Sequence, residues 1–329
     1  MWNSGARSYS PAIRSDAEMS LEMTGTHSQH RVGIALVVGA SIAWSTAPFF
    51  TRLLPYDSWT ILFWRGLFGG AMIMAINLLL QGRGSLRDLA GMGASGWLVA
   101  SLSTLAMVAF IPSLQLTEVS NVAVIIATGP LLTAAIAWVW LREAIALRTI
   151  IAILVALAGV MIIVGAARIG SDILGIALAC LTTLAIAVMT VAVRRYKSRS
   201  MISAAAVSNI LGSIVSFPFA QGIAAVTGHD LLILAMFGFC QVALGLTLFF
   251  LALRLLPSGQ AALISTLETP LMPFWVWLAF QEIPSSHSLV GGALVMTAVI
   301  ADILGDLSSE RRSSAGREAP PRATGVGPY

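Results

Sequence analysis

Ten stretches of about 20 mostly apolar residues follow one another along this chain, and no other feature narrows the possible folds as far. They run at about 32–51, 58–80, 96–114, 120–141, 149–167, 173–193, 202–222, 231–253, 260–281 and 289–305. A helix rises 1.5 Å per residue, so about 20 residues cross the roughly 30 Å of bilayer hydrocarbon. With no water there to serve the backbone, each crossing segment must satisfy its own N–H and C=O groups, and it does so as a helix. The connections are short, often five to eight residues, which makes successive spans antiparallel neighbours in one bundle. Only 10% of the residues are charged and 57% are apolar, against about a quarter charged in a soluble protein. The reading is an all-α membrane protein with ten transmembrane helices.

Lysine and arginine set the orientation. With the N-terminus on the cytoplasmic side, 16 of the 19 basic residues fall in cytoplasmic segments, only Arg52 and Arg168 fall outside, and Arg65 lies within a span. Loss of a single span would invert the later loops and spoil this bias. Both termini are therefore expected in the cytoplasm, as a polar tail over 1–31 and a disordered tail over 306–329. The first tail has no apolar core of a signal peptide, so the first span would act as an uncleaved anchor. The net charge of +4 and pI near 9.6 come from these loops and point to topology, not to nucleic acid.

The chain also repeats itself. Gly33-Ile34-Ala35-Leu36 returns as Gly175-Ile176-Ala177-Leu178, and at the same offset of 142 Ala43 matches Ala185 and Arg52 matches Arg194. At an offset of 139, Phe110 matches Phe249, Leu114 matches Leu253, Trp138 matches Trp277 and Glu143 matches Glu282. The offset covers five spans, an odd number, so equivalent spans cross in opposite directions. The expected organisation is two inverted-topology five-helix repeats, 32–167 and 168–305. Such repeats serve carriers that rock two halves around a shared midplane site.

Candidate site residues cluster at helix interruptions and at membrane-depth charges. Gly129-Pro130 interrupts the fourth span, and Thr269-Pro270 with Pro273 interrupts the ninth; Thr269 is the repeat mate of Pro130. Corresponding interruptions in two halves either offer unwound backbone to a ligand or are ordinary proline kinks served by neighbouring helices. Glu268 lies near the midplane and Arg65 is the one basic residue well inside the membrane. Either Glu268 binds a cation or a proton while Arg65 binds a carboxylate or tunes Glu268, or the two form a buried structural pair. Glu143 and Glu282 sit at opposite faces, as gate residues or interfacial anchors. Asp302 and Asp306 read as solvated. Trp44, Ser45, Phe110, Phe249, Trp275 and Trp277 offer rings and a hydroxyl to an organic substrate, while Gln241, Asn209 and Asn121 either bind ligand or join helices.

Other chemistries lack their residues. There is no Walker A run for ATP and no H-E-x-x-H, and the histidines at 27, 30, 229 and 287 are scattered. The two cysteines, Cys180 and Cys240, lie inside apolar runs, with no metal spacing. No enzyme activity, metal or cofactor is expected. The expected partners are the bilayer, a small-molecule substrate and possible coupling protons, in a monomer or weak homodimer. A passive channel or a membrane sensor is the competing class.

Two stretches carry a family resemblance: Gly129-Pro130 through Trp138 to Glu143, and Leu267-Glu268-Thr269-Pro270-Leu271-Met272-Pro273-Phe274-Trp275-Val276-Trp277 closing at Glu282. With Arg65 in the second span, they make the chain resemble the drug/metabolite transporter superfamily, EamA-type, over about 32–304. Pro270 sits one residue off the repeat register, so no role carries over to it by position. The family commonly has an aromatic residue, often tyrosine, in the third span, and Phe110 stands nearby without the hydroxyl. The resemblance implies export or exchange of small organic metabolites across the plasma membrane, usually the bacterial inner membrane. It leans toward amino acids, with nucleosides and toxic organic cations as the other substrate classes. It also implies that four spans of each half form a central basket, with the fifth and tenth packed outside.

Overall fold

A computed structural model describes residues 29–82, 89, 91–142, 145–167, 170–196, 201–253, 255–256, 261 and 264–318, with backbone alone at 80–81, 171, 194, 201–202 and 306–318. Among these residues there are helices and turns and no strands. In chain order the helices are α1 (Gln29–Leu53), α2 (Ser58–Gln81), α3 (Gly93–Leu116), α4 (Val119–Leu141), α5 (Leu147–Ala166), α6 (Ser171–Tyr196), α7 (Met201–Ser216), α8 (Gly228–Ala252), α9 (Glu268–Phe280) and α10 (Ser286–Glu318). Eight of them are long and apolar enough to cross a bilayer; α7, extended by the 3₁₀ turn Phe217–Phe219, and α9 are shorter and apolar. Their starts follow local chemistry. Asp57 caps α2 by accepting from the Trp59 and Thr60 amides at 3.0 Å each, and Thr227 caps α8 by accepting from Asp230 N at 3.2 Å, which satisfies amides that have no partner inside the helix.

Apart from the contact of α4 with α10, the main packing reproduces itself when the first five helices are exchanged for the last five. Helix α3 packs on α6, and α1 packs on α8 through Val37, Ala252 and Leu256. Helix α3 also packs on α7, as α2 does on α8, and α4 on α6, as α1 does on α9. The pairs α2–α7, α4–α9 and α5–α10 map onto themselves. Two repeats, each making half of every such pair, leave this pattern.

A sharper sign of the repeat lies in the backbone. The second part of α4 (Gly129–Leu141) and α9 (Glu268–Phe280) each have 13 residues, and each follows a break at an equivalent position, Thr128 and Leu267. Each ends in a left-handed residue: Arg142 at φ 54°, ψ 32° and Gln281 at φ 56°, ψ 25°. These are the only non-glycine residues with positive φ among the described residues. Left-handed caps close helices by serving their last carbonyls, but glycine is the usual occupant because other residues strain there. Two strained caps spaced as the sequence repeat is spaced mark one structural unit used twice.

Helices α5 and α10 cross on small residues. Ala152, Ala156 and Gly159 are buried beside Val295 and Ala298, and a methyl added at Gly159 would lie 2.7 Å from the Gly291 carbonyl oxygen. Small side chains let membrane helices approach to backbone contact. At one end of this crossing Asp302 is buried, unlike the solvated position expected for it. Thr149 Oγ1 donates to Asp302 Oδ1 at 2.6 Å, and the Arg148 guanidinium lies 3.9 Å away. These partners offset the cost of taking a carboxylate out of water. Helix α10 then continues to Glu318, where a disordered tail was expected from 306. Extending a formed helix fixes one residue per added hydrogen bond, so a polar segment can follow an anchored span. Residues 319–329, like the N-terminal tail over 1–28, lie outside the described residues.

The α5–α10 crossing can be tested with two methyl groups. Gly159→Ala is expected to destabilise by about 1–3 kcal/mol, since the helices must separate. Gly165→Ala, where an added Cβ meets nothing within 4 Å, is expected to be neutral or to stabilise by up to about 1 kcal/mol through helix propensity. Melting temperatures of the two variants in detergent check the contrast.

Candidate functional site

The interruption in α4 follows from Pro130, which has no N–H to give to the turn before it. At the interruption the Ile125 carbonyl collects three donors. Thr128 N and Thr128 Oγ1 donate to Ile125 O at 3.1 and 2.7 Å, and Thr183 Oγ1 reaches the same oxygen from α6 at 3.4 Å. Gly129 is not sterically required, as an added Cβ would meet Thr183 Cγ2 at an ordinary 3.8 Å. In α9 the break falls at Thr266–Leu267, and Thr269 N donates back to Thr266 O at 3.1 Å. Pro270 stands in the first turn, where no N–H is needed. Thr269 is half-buried, and Pro130 and Pro270 are exposed.

Glu268 opens α9, half-buried, and no described residue donates a hydrogen bond to its carboxyl. Beside α9, Trp275 Nε1 donates to Ser45 Oγ at 2.9 Å, and Ser45 is fully buried. The neighbouring Trp44 packs its indole against Phe249 of α8, with ring centroids 5.1 Å apart, and against Gly245 of the same helix. Trp44 and Ser45 of α1 therefore sit between α8 and α9. This part of α1 is itself bent: the ladder is interrupted at Thr46, just before Pro48.

Arg65 of α2 is 4% exposed. Its Nε donates to Gln241 Oε1 at 3.1 Å, and its Nη2 donates to the same oxygen. The guanidinium also lies over the Phe237 ring, 5.0 Å from its centroid, and Phe237 stacks on Phe50. Gln241 belongs to a π-helical segment of α8, Gly238–Leu244. Wide turns of this kind occur mostly at functional places in helices.

The structure thus joins Arg65 to Gln241, Trp44 to Phe249 and Ser45 to Trp275. It does not pair Arg65 with Glu268, and neither residue has an acid–base partner among the described residues. Phe110 is buried in the main apolar core, apart from Phe249. Asn121 Nδ2 donates to Thr117 Oγ1 at 3.2 Å, and Asn209 Nδ2 donates to Ala205 O at 2.8 Å. Glu143 lies outside the described residues.

Glu282 makes the strongest link between the halves. Arg52, at the end of α1, donates from Nε to Glu282 Oε2 at 3.0 Å and from Nη2 to Glu282 Oε1 at 3.2 Å, and Nη2 is 3.5 Å from Thr117 O at the end of α3. A bidentate pair of this type is stronger and more directional than a single contact. Next to it lies a shallow, open cleft lined by Glu118, Ser120, Pro273, Val276, Glu282 and Pro284. Glu118 accepts from Ser288 Oγ at 2.9 Å and from Ser285 N and Ser120 Oγ at 3.2 Å each. Burial opposes the charge on Glu118, but these donors outweigh it and hold its carboxyl below its ordinary range. Its contribution to stability is therefore complete above the ordinary carboxylate range and lost as pH falls through the lowered value.

Sequence reasoning placed Arg52 in a loop and missed Glu118 altogether. A signal for the first was present, since Arg52 and Glu282 are both members of repeat-matched pairs of like charge. No such signal marks Glu118 and its serines.

A model of the EamA-like transporter family matches residues 31–165 and again 173–301. A crystal structure of a protein described in no further words aligns at a TM-score of 0.59 with 18% identity, over 83% of this chain and 97% of that one. It is one of 21 solved chains that match, and at that identity the likeness concerns the fold. No curated protein matches the chain.

Because Arg52 and Glu282 are both partly shielded, at 25% and 31% side-chain exposure, their coupling should be measurable. A double-mutant cycle through Arg52→Ala and Glu282→Ala is expected to give an interaction of about 0.5–2 kcal/mol. Additive effects on melting temperature would show that the pair contributes nothing of its own.

Proposed function

We propose that this chain, which belongs to the EamA-like transporter family, is a secondary carrier that moves a small organic metabolite across the plasma membrane by alternating access. The family's members are transporters, not enzymes, and the chain is a multi-pass membrane protein with two copies of the family's domain. The observation that carries the mechanism is the matched pair of interrupted helices. Each half contributes one 13-residue helix with a break before it and a left-handed cap after it, and α9 packs against the part of α4 that precedes its break. Equivalent broken elements from two inverted halves are what a carrier needs to expose one site to each side in turn.

Glu268, with Trp44, Ser45, Trp275 and Phe249 of α1, α8 and α9, lines that site in this reading, and the breaks at Thr128 and Thr266–Leu267, just ahead of Gly129-Pro130 and Thr269-Pro270, flank it. The Arg52–Glu282 pair joins the halves at one end and must part when that end opens. The basic-residue bias puts this end outside and both termini in the cytoplasm, with export or exchange across a bacterial inner membrane. The family resemblance favours amino acids over nucleosides and toxic cations. Transport is driven either by protons through Glu268 or by the substrate's own gradient.

Counterflow in proteoliposomes tests the carrier. Saturable exchange of labelled against unlabelled amino acid is expected, while flux without saturation or counterflow would identify a passive channel. If Glu268 carries the coupling proton, Glu268→Gln keeps expression and folding and abolishes the response of transport to a pH gradient. An unchanged response would remove Glu268 from coupling.

A further inference from the structure

The carrier reading leaves the chemistry of the substrate open, and the surroundings of Arg65 narrow it. The guanidinium nitrogen Nη1 is fully buried and has no hydrogen-bond partner. The other two nitrogens share one neutral acceptor, Gln241 Oε1, and no carboxylate faces the group among the described residues. A guanidinium is charged at every physiological pH. Buried without a counter-charge, it carries a desolvation cost that an amide oxygen and an aromatic face offset only in part.

The fold has gone to some length to hold Arg65 this way. The π segment of α8 begins at Gly238, where an added Cβ would lie 2.8 Å from Gly69 N and 2.9 Å from Arg65 O. It ends against Gly245, on which the Trp44 indole rests. Backbone contact between α2 and α8 at Gly238 sets the register between Arg65 and Gln241. The wide turn that follows carries Gln241 to two of the three guanidinium nitrogens. One edge of Arg65 is thus clamped by a neutral residue, and the Nη1 edge is left unserved. The same turn ends at the aromatic pair Trp44 and Phe249, next to Ser45 and Trp275.

We infer that Arg65 is the anion-recognition group of the transport site and that it takes a carboxylate of the substrate on Nη1. Gln241 is its positioning residue: it orients the fork without neutralising it, so the charge stays available to the ligand. Carboxylate oxygens match the guanidinium geometry and accept charge-assisted hydrogen bonds from it. The assignment rests on the carrier reading and selects within it, favouring organic acids and amino acids over nucleosides and organic cations.

The test uses the purified full chain and a panel of amino acids and 2-hydroxy acids, each paired with its carboxamide, with nucleosides and quaternary amines alongside. Thermal shift measures binding and proteoliposome counterflow measures transport. At least one acid is expected to bind, with its amide at least tenfold weaker. Gln241→Glu keeps the side chain's size and gives Arg65 an internal carboxylate, so it should fold and lose acid binding at least tenfold. Arg65→Gln should lose the discrimination between acid and amide. Amides binding as well as acids, acid binding undiminished in folded Gln241→Glu, or binding by no acid of the panel would each overturn the assignment. Acid-selective binding without counterflow would sink the carrier and leave Arg65 its role, whereas counterflow restricted to nucleosides or cations would do the reverse.

Discussion

Hydrocarbon offers no partner to a peptide group, and everything distinctive in this molecule is a managed exception to that constraint. Most of the chain meets it by unbroken helix. Where the ladder is interrupted, nearby hydroxyls take over: Thr128 and Thr183 serve Ile125 O in α4, and Thr46 Oγ1 serves Ala43 O at 2.6 Å in α1. Such repairs need a donor within reach, so interruptions are tolerable only where helices crowd together. Helix α4 can break because α6 lies against it, and α9 breaks where it faces α1 and α4. The requirement that protects the backbone also decides that irregular backbone collects at the junction of the two halves.

The inverted repeat makes this economical. One broken helix with its left-handed cap, used twice, yields Arg142 and Gln281 at matched positions and the same packing on both sides of the molecule. Helices α5 and α10 sit beside that junction, with α10 packed on the first part of α4. They pack on each other through Gly159 and Gly291 and are held at one end by Asp302, while Leu154, Leu157 and Met161 of α5 stay exposed for lipid. Three contacts with different demands result: a tight glycine crossing, a pair of interrupted helices, and an ion pair at Arg52–Glu282 that ties the halves at one end.

Much of this was legible before any coordinates. Span length, the basic-residue bias and the matches at offset 139 are one-dimensional signals, and they give helix number and the repeat; the break in α9 falls at Thr266–Leu267, ahead of the expected Thr269-Pro270, and Pro273 lies inside continuous helix. Cross-helix partners are another matter. Arg65 meets Gln241 because a π turn shifts the register of α8, and a π turn has no composition of its own; the glycines at 238 and 245 hint at close approach without saying to what. Pairing of Arg65 with Glu268, one of the two readings of the sequence, is replaced by the Arg65–Gln241 contact because of this shift. Asp302 was read as solvated from its place at a span end, because burial there depends on Thr149, a residue 153 positions away. The same holds for Glu118, whose donors lie mostly on α10 and the turn before it.

The separation of Arg65 from Glu268 has an energetic consequence. Two opposite charges at membrane depth would lower each other's cost by meeting, and a protein selected for stability alone would bring them together. Here Arg65 is fixed by a neutral clamp on α8, and Glu268 stands at the first turn of α9 with no donor among the described residues. Each leaves part of its desolvation cost uncompensated inside the protein. Under the carrier reading proposed above, a ligand that supplied the missing counter-charge would recover that energy on binding, so selectivity for its chemistry would follow from the two unmatched groups.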